Sequence, residues 1–223
     1  MGVYMDYSAS VIGYTKPVLH GLETPEELIA YCARVSSGRP QEEWGEDYSG
    51  LLKYCQRNSH WSIFSMADVV VEVDCPRDIA RQILRHKSFD FQEFSQRYSD
   101  EITFTGRELR RQDTKNRQNS VDDFTDKDKI EWENDINMVK SMVGDLYDKW
   151  RDRGAAKECI RVILPEGLTM SKTMMKGSAR SWLHYITVRD DWGVTQKEHV
   201  LVARAIKEAL KTVLPTVIGG MDG

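Results

Sequence analysis

The sequence predicts an α+β fold, with a small central, mostly antiparallel sheet flanked by several helices and one long helix in the middle of the chain. Residues 67–73 (Ala-Asp-Val-Val-Val-Glu-Val) form a β-branched run of strand length. Residues 122–153 repeat apolar side chains on a helical period, over many more turns than an average helix has. Helix-like and strand-like segments follow no strict alternation, which argues against a doubly wound parallel sheet. With 223 residues, 40% apolar and 30% charged, and no Pro/Gly/Ser-rich linker, residues 1–223 are expected to form one domain.

Val3 to Val11 alternates loosely, as a strand does. Thr24-Pro25-Glu26-Glu27 opens a helix with a capping hydroxyl, a proline at its first position and acids in its first turn, running to about Ser36. Ser37 to Trp44 reads as loop, and Asp47 to Arg57 as a helix carrying Leu51, Leu52 and Cys55 at helical spacing. His60 to Met66 is a loop before the strand at 67–73, and Pro76 starts another helix. In that helix Ile79, Ala80, Ile83 and Leu84 fill one arc while Arg81, Gln82, Arg85 and His86 fill the opposite one. One face packs and the other presents polar groups.

Ile102 to Phe104 reads as a short strand. Gly106 to Ser120 reads as a solvated loop, since Arg107, Arg110, Arg111, Lys115 and Arg117 are partly offset by Glu108 and Asp113 and no aromatics interleave them. The long helix, Asp122 to Arg153, has an expected core stripe of Ile130, Ile136, Val139, Val143, Leu146, Tyr147 and Trp150, and Gly154 ends it. Ala155 to Leu164 is a short helix halted before Pro165. Lys172 to Lys176 is extended, Ser178 to Val188 helical, and Thr195 to Val213 a closing helix.

A formal charge of −4 argues against wholesale nucleic-acid binding but allows a local basic pocket for a small anion. No segment reaches the roughly 18 apolar residues of a membrane span, and the start of the chain lacks a signal-peptide pattern, so a cytoplasmic protein without membrane partners is expected. Cys32, Cys55, Cys75 and Cys159 are widely spaced and read as buried thiols. The histidines show no ligand spacing, so no metal site is expected. Without a Walker loop or G-x-G-x-x-G, any nucleotide must be held by side chains.

The densest polar cluster, Arg85 to Tyr98, joins cations suited to phosphate with an acid, a hydroxyl and amides suited to a base edge. Composition alone leaves a binding role and a solvated loop equally open. Order and spacing narrow the choice. Arg85-His86-Lys87, seven residues, then Ser95-Gln96-Arg97-Tyr98 resembles the signature of the flavin-dependent thymidylate synthases. Collinear blocks extend the resemblance: Ala33-Arg34-Val35-Ser36, the segment beginning at His60, Ala80-Arg81-Gln82, Arg161-Val162-Ile163-Leu164-Pro165, Ala179-Arg180-Ser181, Arg189 and Thr195-Gln196-Lys197-Glu198. Lys87 stands where the signature has a third arginine, Gln92 where asparagine is usual, Ser65 where glutamate is frequent and Ser178 where asparagine is.

The resemblance implies a homotetrameric enzyme that makes dTMP from dUMP with FAD, NADPH and methylenetetrahydrofolate, at sites formed between subunits. It implies dUMP contacts from Gln82 and Arg85 of one chain and from Glu93, Phe94, Ser95, Gln96, Arg97 and Arg161 of another, with Arg189 at the pyrimidine. For FAD it implies Ser62, Arg85, His86, Lys87, Glu93, Ser178, Arg180 and His184. Physical chemistry agrees with that division. A nucleoside monophosphate carries nearly two negative charges and suits the forked donors of Arg97 and Arg161. A guanidinium beside uracil stabilises the anion left when N3 loses its proton, the role the family gives the arginine matching Arg189.

No cysteine falls inside the signature blocks and Ser95 has no evident histidine base, so attack on uracil by a side chain is not expected; Cys75, before a helix start, is the thiol to watch. Two other classes remain. An RNA-binding module would use the arginines of 106–120, against the acidic net charge. A non-catalytic flavin- or nucleotide-binding relative of the same fold would keep the signature without the reaction. Arg180 as a surface ion pair and His184 as a packed core histidine are the structural alternatives for those two residues.

Overall fold

The computed structural model describes residues 7–36, 40–41, 48–98 and 101–221. Val3 to Asp6 of the expected first strand and most of the expected loop at 37–44 lie outside them. Strand β1 (Ser8–Tyr14) pairs antiparallel with β2 (Asp68–Pro76), β2 with β6 (Met170–Ser178), and β6 with β3 (Asp90–Glu93), giving the order β1-β2-β6-β3. A separate hairpin joins β4 (Arg111–Gln112) to β5 (Ser120–Val121).

The sheet is one-sided. Val69, Val71, Val73 and Cys75 of β2 and Ser171, Thr173, Met175 and Gly177 of β6 are buried beneath helices. The alternate residues carry cross-strand charge pairs, Lys172 with Glu72 at 2.7 Å and Lys176 with Asp68 at 3.2 Å. Such alternation suits an antiparallel sheet with one solvated face. The covering helices are α1 (Pro25–Arg34), α2 (Tyr48–Arg57), α3 (Arg77–Ile83), α6 (Ala179–Arg189), α7 (Lys197–Leu210) and α8 (Pro215–Gly219), which supply Ile29, Leu52, Ile79, Ile83, Trp182, Ile206 and Ile218 to one apolar cluster. Thr24 and Glu27 form the reciprocal cap expected at the start of α1.

Several expectations are corrected. The strand at 67–73 continues through Pro76, which caps α3 instead of opening it. Ile102 to Phe104 forms no strand, only a single bridge from Phe104 to Thr169. Lys172 to Lys176 is extended as expected, but as the middle of the longer, nine-residue β6. His60 to Met66 contains a 3₁₀ turn, Trp61–Ser65. The long helix α4 spans Asp126–Asp152, and α5 (Lys157–Ile160) is shorter than expected, passing into a 3₁₀ turn at Arg161–Ile163. The closing helix ends at Leu210, leaving the separate α8 after Leu214.

The expected core stripe of α4 does not enter this chain's core. Tyr147 is buried, but Ile130 is 60% exposed and Val139, Leu146 and Trp150 are also open. Helical periodicity reveals an apolar face without saying which surface covers it. The loop at 106–120 is not simply solvated either. Arg107 donates to Asp78 at 2.8 Å and Arg110 to the fully buried Glu198 at 2.6 Å, so these cations are committed inside the chain. Cys55 and Cys75 are buried as expected, Cys32 is partly buried and Cys159 is exposed.

One close approach positions the segment after α3. A Cβ on Gly177 would lie 2.4 Å from two Phe89 ring carbons, so the ring rests directly on the β6 backbone. Phe89 also meets Trp182 edge-on at 4.7 Å. This anchors the turn between His86 and β3.

Candidate functional site

The end of α3 and the two helices α6 and α7 build a polar cluster. The Arg77 N–H donates to the Thr169 carbonyl at 2.9 Å, tying the start of α3 to the sheet, and Ile79, Ala80 and Ile83 turn its apolar face inward. Gln82 therefore faces α7. At the end of α6, Arg189 Nε donates to His86 Nε2 at 2.9 Å, and the His86 ring stands edge-on to Tyr185 at 4.9 Å. Burial, reinforced by the Arg189 guanidinium, pushes the His86 pKa down to about 4. The ring is neutral, accepts at Nε2 and so carries its proton at Nδ1.

His199 is fully buried beside them, and burial with the Arg189 charge lowers its pKa to about 3. It meets the Tyr185 hydroxyl at 3.0 Å and the Gln82 carbonyl oxygen at 3.2 Å. Gln82 Nε2 donates to Gln196 Oε1 at 2.8 Å, and Gln196 Nε2 donates to Glu198 at 2.9 Å. Hydrogen bonds from Arg110 and Gln196 outweigh burial and hold the Glu198 carboxyl below its usual range. Tyr185, Gln196 and His199 were not singled out from the sequence as site residues. Gln196 and Glu198 stand in a quoted block, but nothing in the spacing links them to a helix 114 residues earlier.

A second group lies at β3. Glu93 accepts from Ser171 Oγ at 3.0 Å and from Arg81 at 3.4 Å, with Arg77 at 3.7 Å. The Phe94 N–H donates to the Lys172 carbonyl, so Phe94, Ser95, Gln96 and Arg97 leave the sheet toward α5, where Arg97 meets Glu158 at 3.3 Å. Arg161 is exposed just beyond α5. Within one chain, Gln82, His86 and Arg189 thus form one group, while Glu93 is held by α3 and β6 and the segment after it reaches α5 at Arg97.

The third group lines a cavity of about 900 Å3 between α6 and the 3₁₀ turn after α2. Ser178, Arg180 and His184 lie on its wall, with Trp61, Ser65 and Ser88. Ser62 is exposed on the same turn, and Arg85 and Lys87 are exposed after α3. Ser178 caps α6 by accepting from the Ser181 N–H, so the cavity meets a helix N-terminus beside the Arg180 cation, a combination that favours an anion. His184 is exposed and is not a packed core histidine; His199 has that place. A cation-bearing cavity of this size, with an exposed indole and with Leu183 and Met221 on its wall, fits a flavin nucleotide. Among the described residues, no group of three or more His, Cys, Asp or Glu could hold a metal ion, and no helix is long and apolar enough to cross a membrane.

The profile of the thymidylate synthase complementing protein family, Thy1, matches residues 17–216. The chain belongs to that family. It is 48% identical over 218 residues to the flavin-dependent thymidylate synthase of Synechocystis, covering 95% of this chain and 97% of that one. It is 45% identical over 216 residues to the probable flavin-dependent thymidylate synthase of Paramecium bursaria Chlorella virus 1, covering 96% and 99%. Among solved structures, the UMP/dUMP methylase PolB of Streptomyces cacaoi, bound with 5-Br dUMP, superposes with a TM-score of 0.80 at 22% identity, covering 100% of this chain and 97% of that one. That likeness establishes the shared α+β fold. The family is established by sequence.

Proposed function

We propose that this chain is a flavin-dependent thymidylate synthase that methylates dUMP to dTMP, with FAD reduced by NADPH and methylenetetrahydrofolate as carbon donor. The observation that carries the reading is the placement of Arg189 on α6: its guanidinium is held by neutral His86, while the same helix lines the large cavity with Arg180 and His184. Ser178, Arg180 and His184, with Ser62, Arg85, His86, Lys87 and Glu93, would hold the flavin. When bound, the flavin supplies the hydride that no side chain can.

The chain's own residues do the rest. Arg189 stabilises negative charge at N3 and O4 of uracil and so makes C5 electron-rich. Gln82 and Arg85 meet the nucleotide from one subunit, and Glu93, Phe94, Ser95, Gln96, Arg97 and Arg161 from another, the last two supplying phosphate donors. A homotetramer would bring these separate groups together, and the open apolar face of α4 supports assembly. A side-chain nucleophile is not needed, and Cys75 is unsuited to the part: burial, with nearby carboxylates, pushes its thiol up to about 12.

Tritium release from 5-labelled dUMP by the purified flavoprotein, with and without NADPH, tests the reading. NADPH-dependent release is expected. A yellow protein that binds dUMP yet retains all its tritium would instead be a non-catalytic relative, and a colourless protein that cannot be loaded with FAD would overturn the flavin assignment. Light scattering at micromolar concentration should give a tetramer, and a stable monomer would remove the shared site.

A further inference from the structure

We propose that Glu198, Gln196, His199 and Tyr185 are positioning residues that lock the side-chain amide of Gln82 in one orientation, so that its remaining N–H and carbonyl lone pair are offered to the substrate in a single order. The inference rests on the reading that Gln82 meets dUMP, and it adds a set of residues to which that reading gives no role.

The direction of every bond follows from the two ends. Glu198, fully buried, accepts from Arg110 at 2.6 Å and lies 3.4 Å from Arg107, so it is an ionised carboxylate that can only accept. Gln196 must therefore turn its NH2 toward Glu198 at 2.9 Å and its oxygen toward Gln82. That oxygen can only accept, which fixes the Gln82 nitrogen on it at 2.8 Å and leaves the Gln82 oxygen toward His199 Nδ1 at 3.2 Å. Now Nδ1 must carry the proton, and a neutral ring with Nδ1–H accepts at Nε2, where the Tyr185 hydroxyl lies at 3.0 Å.

The far end is compatible with this direction: Tyr185 is fully buried, and that burial raises its pKa, so it keeps a proton that it can donate to Nε2. His199 is held neutral by burial and by Arg189. Reversing the Gln82 amide would set oxygen against oxygen at Gln196, a repulsive contact that cannot be relieved while Glu198 holds the Gln196 NH2, and it would force His199 into the other tautomer. An amide uses one N–H and one lone pair in these contacts and retains one of each. In dUMP as it binds, before N3 gives up its proton, the uracil edge alternates acceptors with the N3–H donor, so the order in which the amide presents its own groups decides whether the pairing forms.

The ligand-free test is the long-range 1H–15N spectrum of ring-labelled protein. His199 is expected as the neutral Nδ1–H tautomer, and the Nε2–H tautomer or an imidazolium at neutral pH would overturn the relay. The functional test titrates dUMP into the oxidised flavoprotein. His199→Phe removes the Nδ1 donor and should weaken dUMP about tenfold while flavin occupancy is unchanged. His199→Asn, which restores an N–H near Nδ1, should recover affinity to within about threefold of wild type. Equal losses in both variants, parallel loss of flavin, or unchanged dUMP binding in His199→Phe would each refute a positioning role. Failure of the wild type to bind dUMP would instead overturn the functional reading, and the tautomer would still decide the relay.

Discussion

Gly177→Ala should disturb the signature segment through the strand on which Phe89 rests. The added carbon would sit 2.4 Å from Cδ1 and Cε1 of Phe89, whereas carbon atoms prefer about 3.5 to 4.0 Å, so the ring must retreat by about 1 Å or more. It has little room to do so, being only 8% exposed and braced by Trp182 at 4.7 Å, Tyr185 at 6.0 Å and Phe91 at 6.2 Å. Overpacking of this kind costs about 1 to 3 kcal/mol, and replacing a strand glycine offsets roughly 0.5 to 1 kcal/mol of that. The net range is about 0 to 2.5 kcal/mol, and the braced ring places the expected loss in its upper half, above about 1 kcal/mol, with reduced flavin retention because Phe89 fixes the turn that follows His86. Urea unfolding followed by tryptophan fluorescence measures the stability. Phe89→Ala alone should cost about 3 to 5 kcal/mol, and in that background Gly177→Ala should cost less than about 0.5 kcal/mol because the methyl enters vacated space. Additive effects of the two substitutions, or a Gly177→Ala protein as stable as wild type, would refute the argument.

Replacing Cys32, Cys55, Cys75 and Cys159 by alanine or serine should leave NADPH-dependent dTMP formation within about tenfold of wild type, and loss of turnover on removing one cysteine with fold and flavin intact would reject a mechanism without a protein nucleophile. Arg189→Ala should nearly silence tritium release with flavin still bound, whereas Arg161→Ala should weaken dUMP by about 2 to 5 kcal/mol, and flavin far less, if its phosphate contact is desolvated. Stability should fall as pH drops below about 6.5, because the unfolded chain takes up the His199 proton there while the folded chain resists until about 3. That slope is at most about 1.4 kcal/mol per pH unit from His199, with His86 acting in the same direction down to about 4, and His199→Phe should flatten it in urea titrations at pH 7, 6 and 5.

Much of this fold is local chemistry. The valines of β2, the two faces of α3 and the Thr24–Glu27 cap could be read directly because each depends on neighbours within a few residues. Strand β6 was only partly legible because its inward face is Ser171, Thr173, Met175 and Gly177, which no hydrophobic alternation marks. The stripe of α4 was visible but its covering was not, since periodicity carries no information about the partner surface. At the site, order and spacing singled out the Arg85 to Tyr98 segment, but not which polar groups are buried. His199 looked like any other histidine until α7 laid it against Tyr185 and Gln82, and Arg107 and Arg110 looked solvated because their acceptors, Asp78 and Glu198, are distant in sequence.

The sheet order has a consequence for the nascent chain. Among the described residues strand β3 pairs with β6 alone, and Asp90 lies 86 residues before its cross-strand partner Lys176. At about 5 to 20 residues per second, the ribosome takes roughly 4 to 17 seconds to make the strand that β3 needs. Throughout that interval β3 is an unpaired strand, kept from pairing elsewhere by its four-residue length and by Asp90 and Glu93. Slow translation between the two strands would lengthen the exposure, and a release fragment ending before Met170 would contain every residue of the signature with no strand on which to hold it.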